Sequence, residues 1–149
     1  MSQQPELTQH QLGGAVVHPW HIDQFGHMNV RWFAHFFDDA SFLFFNRLGL
    51  DQKTLIKEFG VHTVTAQSTT EFRTEVLAGT CVDVLGSVSR IGEKSLGLEY
   101  RMCSTDRTIE YAICKTIEVL VDAQSHSSLP IPSILRERLE LAQKEDSKS

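Results

Sequence analysis

The chain has 149 residues, 41% of them hydrophobic and 22% charged, with a formal charge of −5. That length suits one domain with a real core, the composition is that of an ordinary soluble globular protein, and the acidic balance lacks the basic footprint of a nucleic-acid binder. His35, Asp38, Asp39 and Asn46 interrupt the longest apolar stretch, and the opening MSQQPELTQHQLGG has neither the basic nor the apolar region of a secretory signal, so no membrane span and a cytoplasmic location are expected.

In chain order, residues 1–13 are polar and read as a flexible lead-in. GAVVHPW, 14–20, has the content of a short strand ended by Pro19. From about Met28 to Leu48, Phe33, Phe36, Phe37, Ala40, Leu43, Phe44 and Leu48 recur at three- and four-residue steps and predict one long helix. Arg31, His35, Asp38, Phe42 and Asn46 take its other side. With Trp32 and Phe45 on the flanks, the apolar sector is broader than a surface helix needs, so cover on several sides is expected. LGLDQKTLIKEFG, 48–60, predicts a glycine-terminated end and a short second helix. Everything from Val61 to Asp122 reads as strand, broken only by LAG, GEK and DR, and these short links predict four strands in one antiparallel meander. SLPIPS ends that pattern, and SILRERLELAQKEDSKS predicts an amphipathic helix with a charged tail over 140–149. Cys81, Cys103 and Cys114 are odd in number, form no CxxC pair, and read as buried structural thiols. The histidines include no HxxxH or HExxH arrangement, so no metal is expected.

One long helix with an antiparallel sheet is an α+β layout in a single domain, 1–149. Burying most of the helix requires the sheet to curl around it, which is a hotdog fold. Asp23, Gly26, His27, Asn29, Phe33, Asp38 and Ala40 resemble the signature of the 4-hydroxybenzoyl-CoA thioesterase family of hotdog proteins. That signature is D-x-x-G-H-V-N-N, then an aromatic residue, then an acidic residue five positions on. EVLAGTCVDV, SRIGEKSLGLEYRM and VLVDAQSHSSLPIP continue the likeness, which covers about 14–135. The chain departs from the pattern at Val30 (often Asn), Phe33 (Tyr), Ser41 (Arg) and Gly79-Thr80 (Gly-Asp).

The resemblance implies that Asp23 is the catalytic carboxylate, acting as general base on water or as nucleophile on a thioester carbonyl. On spacing alone it also reads as a loop or cap aspartate. Gly26, Met28, Asn29 and Val30 lead into the helix, whose first N–H groups and positive dipole end suit an oxyanion. Gly26 would let backbone approach a ligand closely, and Asn29 is equally an N-cap. His27 either polarises the carbonyl, orients Asp23, or is a structural hydrogen-bonding histidine. Asp38 reads as a supporting charge on the polar side of the helix, and Glu75 as either a supporting group that reaches a site across a subunit interface or a solvated strand end. Phe33 offers an apolar wall or serves the core. Thr69 and Glu71 share one strand face, which reads as site wall or as exposed surface. Arg90 and Lys94 flank a hairpin turn and read as coenzyme A phosphate contacts or ordinary exposed cations.

The expected function is therefore an acyl-CoA thioesterase that needs no cofactor, binds no nucleic acid and assembles as a homodimer or a dimer of dimers. An enoyl-CoA hydratase or dehydratase on the same fold, and a non-catalytic acyl-thioester binding module, are the alternatives. Asp23 discriminates against the last, because a pure binder has no need of a carboxylate at the helix entrance.

Overall fold

The computed structural model describes residues 9–144. β1 (His10–Val16) is followed by one tight helical turn at Pro19–His21 and then by α1 (Val30–Arg47). The short α2 (Gln52–Thr54) widens into a further turn at Leu55–Phe59. Next come β2 (Val61–Phe72), β3 (Cys81–Ile91), β4 (Ser95–Ser104), β5 (Glu110–Asp122) and α3 (Ser133–Lys144). β1 starts at His10, inside the stretch expected to be a lead-in, and stops before Pro19, whose fixed φ opens the tight turn instead. The rest of that lead-in, 1–8, and the end of the tail, 145–149, lie outside the described residues; 140–144 are helical.

All five strands form one antiparallel sheet in the order β1-β3-β4-β5-β2. This corrects the four-strand meander. Only β3, β4 and β5 follow one another; β2 lies beyond β5, paired from Val61↔Asp122 to Phe72↔Ala112. The link after β2 does not turn a hairpin because its backbone is committed elsewhere. The Val76 carbonyl accepts the Met28 N–H at 2.8 Å, and the Gly79 N–H donates to the Val17 carbonyl at 2.7 Å. The link is thus tied to the entrance of α1 and the end of β1.

α1 lays Phe33, Phe37, Ala40, Phe44 and Phe45 into the core. Phe37 and Phe44 meet Tyr100 of β4 with ring centroids 6.5 and 6.3 Å apart. β3 has Gly86 beneath this helix because a Cβ there would lie 2.7 Å from Leu12 Cδ1 and 3.4 Å from Phe44 Cδ1. α3 adds Leu135, Leu139 and Ala142 to the same core, so both helices share one face of the sheet. Within one chain α1 is not covered on several sides: Val30, Phe42 and Leu43 are 60%, 61% and 48% exposed. Leu43 was expected inside; Phe45, assigned to a flank, is buried in its place. Cys103 and Cys114 are buried, but Cys81, at the first position of β3, is exposed. No helix among the described residues is long and apolar enough to cross a membrane.

Candidate active site

Between the tight turn and α1 the chain doubles back on itself. Ile22 and Met28 pair as an isolated antiparallel bridge, the Asp23 N–H donates to the His27 carbonyl at 3.0 Å, and the Gly26 N–H donates to the Asp23 carbonyl at 3.0 Å. Gly26 closes this loop at a φ of +85°, a conformation that strains any residue with a Cβ. The loop is then pinned to the body of the protein. Met28 is buried and bonded to Val76, and the Asn29 N–H donates to the His21 carbonyl at 2.9 Å. The His21 ring is itself buried, edge-on to Trp32 and Phe36 with centroids 4.6 and 5.2 Å away, and its Nδ1 accepts the His18 N–H at 2.9 Å. Burial first, then the neighbouring His18 and His35, lower its pKa and favour the neutral ring that this hydrogen bond requires. Sequence reasoning passed over His21, since nothing in its spacing separates it from the other histidines.

Asn29 joins the loop to the helix. Its Oδ1 accepts the Arg31 N–H at 3.0 Å as the N-cap of α1, and its Nδ2 donates to Asp23 Oδ2 at 3.1 Å. The other carboxylate oxygen of Asp23, Oδ1, accepts the Phe25 N–H at 2.9 Å. The Phe25 N–H first, then the Asn29 amide, hold the Asp23 carboxyl below its ordinary pKa, with nearby His27 adding to the effect. Asp23 is thus ionised at neutral pH. Each of its oxygens accepts one hydrogen bond and keeps further lone-pair capacity.

The backbone donors divide unequally. The N–H groups of Gly26, Met28 and Asn29 are all spent on carbonyls of the protein, so three of the four positions expected to hold an oxyanion have no donor to offer. The Val30 N–H, at the first residue of α1, has no partner among the described residues. Only this donor survives from the expected set.

His27, Val30, Phe33, Phe72 and Glu75 line a cleft of about 230 Å³. His27 Nε2 lies 3.0 Å from Glu75 Oε2, so Glu75 is paired with the loop of its own chain while its side chain stays 72% exposed, as a solvated strand-end group would be. Phe33 packs edge-on against Phe72 with centroids 5.1 Å apart. Asp23 is not on the wall of this cleft; it adjoins it through the loop it shares with His27. Phe72 and Arg73, which also borders the cleft, were missed because the sequence places them simply at the end of a strand.

Other expected residues lie elsewhere. Ser68 meets the buried Cys114 at 3.6 Å and Phe72 meets Phe33, so the alternation of β2 turns Thr69 and Glu71 to the sheet face away from α1. There Glu71 pairs with Arg73 at 3.1 Å. Arg90 and Lys94 stand at the far end of β3, about 30 Å along the strand from its start at Cys81, and Arg90 bonds Ser95 at 3.2 Å. Asp38 lies about 12 Å along α1 from Val30 and borders a different cleft. No group of three or more histidine, cysteine or acidic side chains suited to a metal ion occurs among the described residues.

The geometry makes Asn29→Ala informative. Loss of the cap is expected to cost about 1 kcal/mol, measurable by urea denaturation. Loss of the amide that favours the carboxylate raises the Asp23 pKa, so an activity that needs ionised Asp23 loses its acid side at a higher pH than in the native chain.

Residues 17–139 match the thioesterase-like superfamily. Among solved structures, a hypothetical protein from Staphylococcus aureus in complex with CoA is 18% identical, with a TM-score of 0.79 over 98% of this chain and 89% of that one. A probable thioesterase from Escherichia coli is 18% identical, with a TM-score of 0.77 over 92% and 99% of the two chains. A 1,4-dihydroxy-2-naphthoyl-CoA thioesterase from Synechocystis is 12% identical, with a TM-score of 0.74 over 88% and 95%. No curated protein gives a significant sequence match.

Proposed function

The chain belongs to the thioesterase-like superfamily, and we propose that it hydrolyses an acyl-CoA thioester to the free acid and CoA with Asp23 as the catalytic carboxylate. The observation that carries this reading is the Asp23–Asn29 pair at the entrance of α1. One amide both caps the helix and steadies an ionised carboxylate beside a free helix N–H. In the reaction, the thioester carbonyl oxygen sits against the Val30 N–H, where the positive end of the helix stabilises the charge that develops on it. As a general base, Asp23 takes a proton from water as the water oxygen bonds to the carbonyl carbon. Collapse of the tetrahedral intermediate breaks the carbon–sulfur bond, and the departing thiolate is protonated as CoA. As a nucleophile, an Asp23 oxygen bonds to the carbonyl carbon, and the carbon–sulfur bond breaks to release the CoA thiolate, which takes a proton from solvent. Water then hydrolyses the resulting anhydride to free acid and Asp23. His27, held by Glu75, borders the same space and orients the carbonyl. Free-thiol release over a panel of acyl-CoAs tests the reading, and absence of release across that panel rejects it.

The same reading includes self-association. β2 is an edge strand of 12 residues, mostly exposed along its length, without proline or lysine to discourage pairing. The uncovered apolar flank of α1, with Val30 and Phe42 outward, adds surface that a second copy would bury. Arg90 and Lys94 stand at the opposite end of β3 from the link tied to Met28, which favours a contact with CoA held by a second protomer over one held by their own. Light scattering is expected to give a dimer or tetramer; a stable, fully active species of 16.9 kDa would reject the assembly.

A further inference from the structure

A second cleft, of about 440 Å³, opens between α1 and β2 further along the helix. Ser41, Phe42 and Phe45 of α1 form one wall, Thr63 and Thr65 of β2 the other, and Glu118 of β5 lies between them. Phe42 stands about 18 Å along the helix axis from Val30, and both clefts lie between α1 and β2, one towards each end of the helix.

The polar lining of this cleft is incompletely bonded, and two buried hydroxyls lie beneath it rather than on its wall. Glu118 is only 4% exposed, and its two oxygens lie 3.1 and 3.0 Å from the Thr65 hydroxyl, which has a single proton to give. Tyr100, 1% exposed, and Thr116 bury hydroxyls that have no hydrogen-bond partner among the described residues. The groups around the Tyr100 hydroxyl include Ser41, Glu118 and Asp38, all of which line this cleft; Ser41 stands beside it without completing a bond of ordinary geometry. Burial, with the nearby Glu118, Cys114 and Asp38 adding to it, raises the Tyr100 pKa, so the phenol keeps its proton and acts as a donor. A buried donor behind the Ser41 wall of the cleft and an under-bonded acceptor on its lining are each costly unless something enters to satisfy them. The surrounding charge narrows the choice, since Asp38, Asp51 and Glu118 face only Lys53.

We propose that this cleft receives the far end of the acyl group and selects a chain that carries a hydroxyl there, with Tyr100 and Glu118 as the specificity-determining pair. A hydroxyl accepts from Tyr100 and donates to Glu118 at once. A methyl terminus leaves both unpaired, a protonated amine satisfies Glu118 but not Tyr100, and a terminal carboxylate meets like charge. The kinetic form of the proposal rests on the thioesterase reading; the binding form does not.

The test has two arms. In the first, straight-chain acyl-CoAs of graded length, each ending in methyl, hydroxyl or carboxylate, are compared with the native enzyme, Tyr100→Phe and Glu118→Leu. At the best length the native kcat/KM is expected to favour hydroxyl over methyl by at least about tenfold, roughly the value of one hydrogen bond, and each variant should bring that ratio close to one. In the second arm, octanol and octanoate binding are followed by ligand-observed NMR without any CoA. Octanol should bind saturably to the native protein and octanoate should not, with octanol binding weakened about tenfold in Tyr100→Phe. That variant keeps the ring contacts with Phe37 and Phe44 and removes only the hydroxyl. If no thioester is cleaved but octanol binding depends on Tyr100, the enzymatic reading fails and the hydroxyl selectivity stands. A native enzyme without hydroxyl preference at any length, or octanol binding untouched by Tyr100→Phe, overturns the proposal.

Discussion

Asp23→Asn is expected to lower turnover by at least ~100-fold while the KM for the acyl-CoA changes little, since proton transfer or nucleophilic attack needs the carboxylate oxygen and CoA binding does not. The substitution is not silent for stability. Asp23 accepts from two donors, the Phe25 N–H and the Asn29 amide, and asparagine has one oxygen with which to receive them. Asn29 cannot turn its own oxygen towards the new amide without uncapping Arg31. One hydrogen bond is therefore lost, and a slightly lower melting temperature is expected. Full turnover in a slightly destabilised variant would show that Asp23 merely braces the loop.

Phe44→Ala should have the largest effect on stability and a small one on chemistry. Phe44 is 1% exposed and touches His10 and Tyr100, with centroids 5.3 and 6.3 Å away, above the space that Gly86 leaves open. Truncation removes a ring packed between α1, β1 and β4, and a loss of about 3–5 kcal/mol is expected in denaturant titrations. Phe44 lies about 22 Å along α1 from Asn29, so turnover per folded molecule should stay within about twofold of native at low temperature. A drop in turnover as deep as that of Asp23→Asn would mean that the core helix does more than hold its first turn in place.

What could be read from sequence follows the reach of each signal. β1 begins four residues before the stretch expected to hold it, whereas α1, α3 and the positions of β2 to β5 came through because their apolar periods are local. The order of strands did not, because nothing in VLAG reveals that Val76 and Gly79 are bonded to Met28 and Val17. Leu43 and Phe45 exchanged roles because a helical period fixes a stripe but not its centre, which the sheet decides. In the site, Asp23, His27 and Asn29 were legible from their motif, and their proximity in the fold supports grouping them. The shortage of free N–H groups was invisible, since it depends on carbonyls contributed by His21 and Val76. Glu118 was hidden for a similar reason. The alternation of TIEVLVD puts it on the same face as the buried Leu120, but only the neighbouring Tyr100 and Thr65 show that this face contains a polar hollow.

The pairing of β2 with β5 also sets an order of events in the growing polypeptide. β2 ends at Phe72, yet its hydrogen-bonding partners run from Ala112 to Asp122. During synthesis it must wait, unpaired, until almost the whole sheet has been made, whereas β3, β4 and β5 can zip together in turn as they emerge. Phe72, Arg73 and Glu75 hang from this late-docking strand, so the wall of the cleft beside His27 is among the last parts of the protein to be completed. A truncated nascent chain can thus acquire most of its core and still be catalytically unfinished.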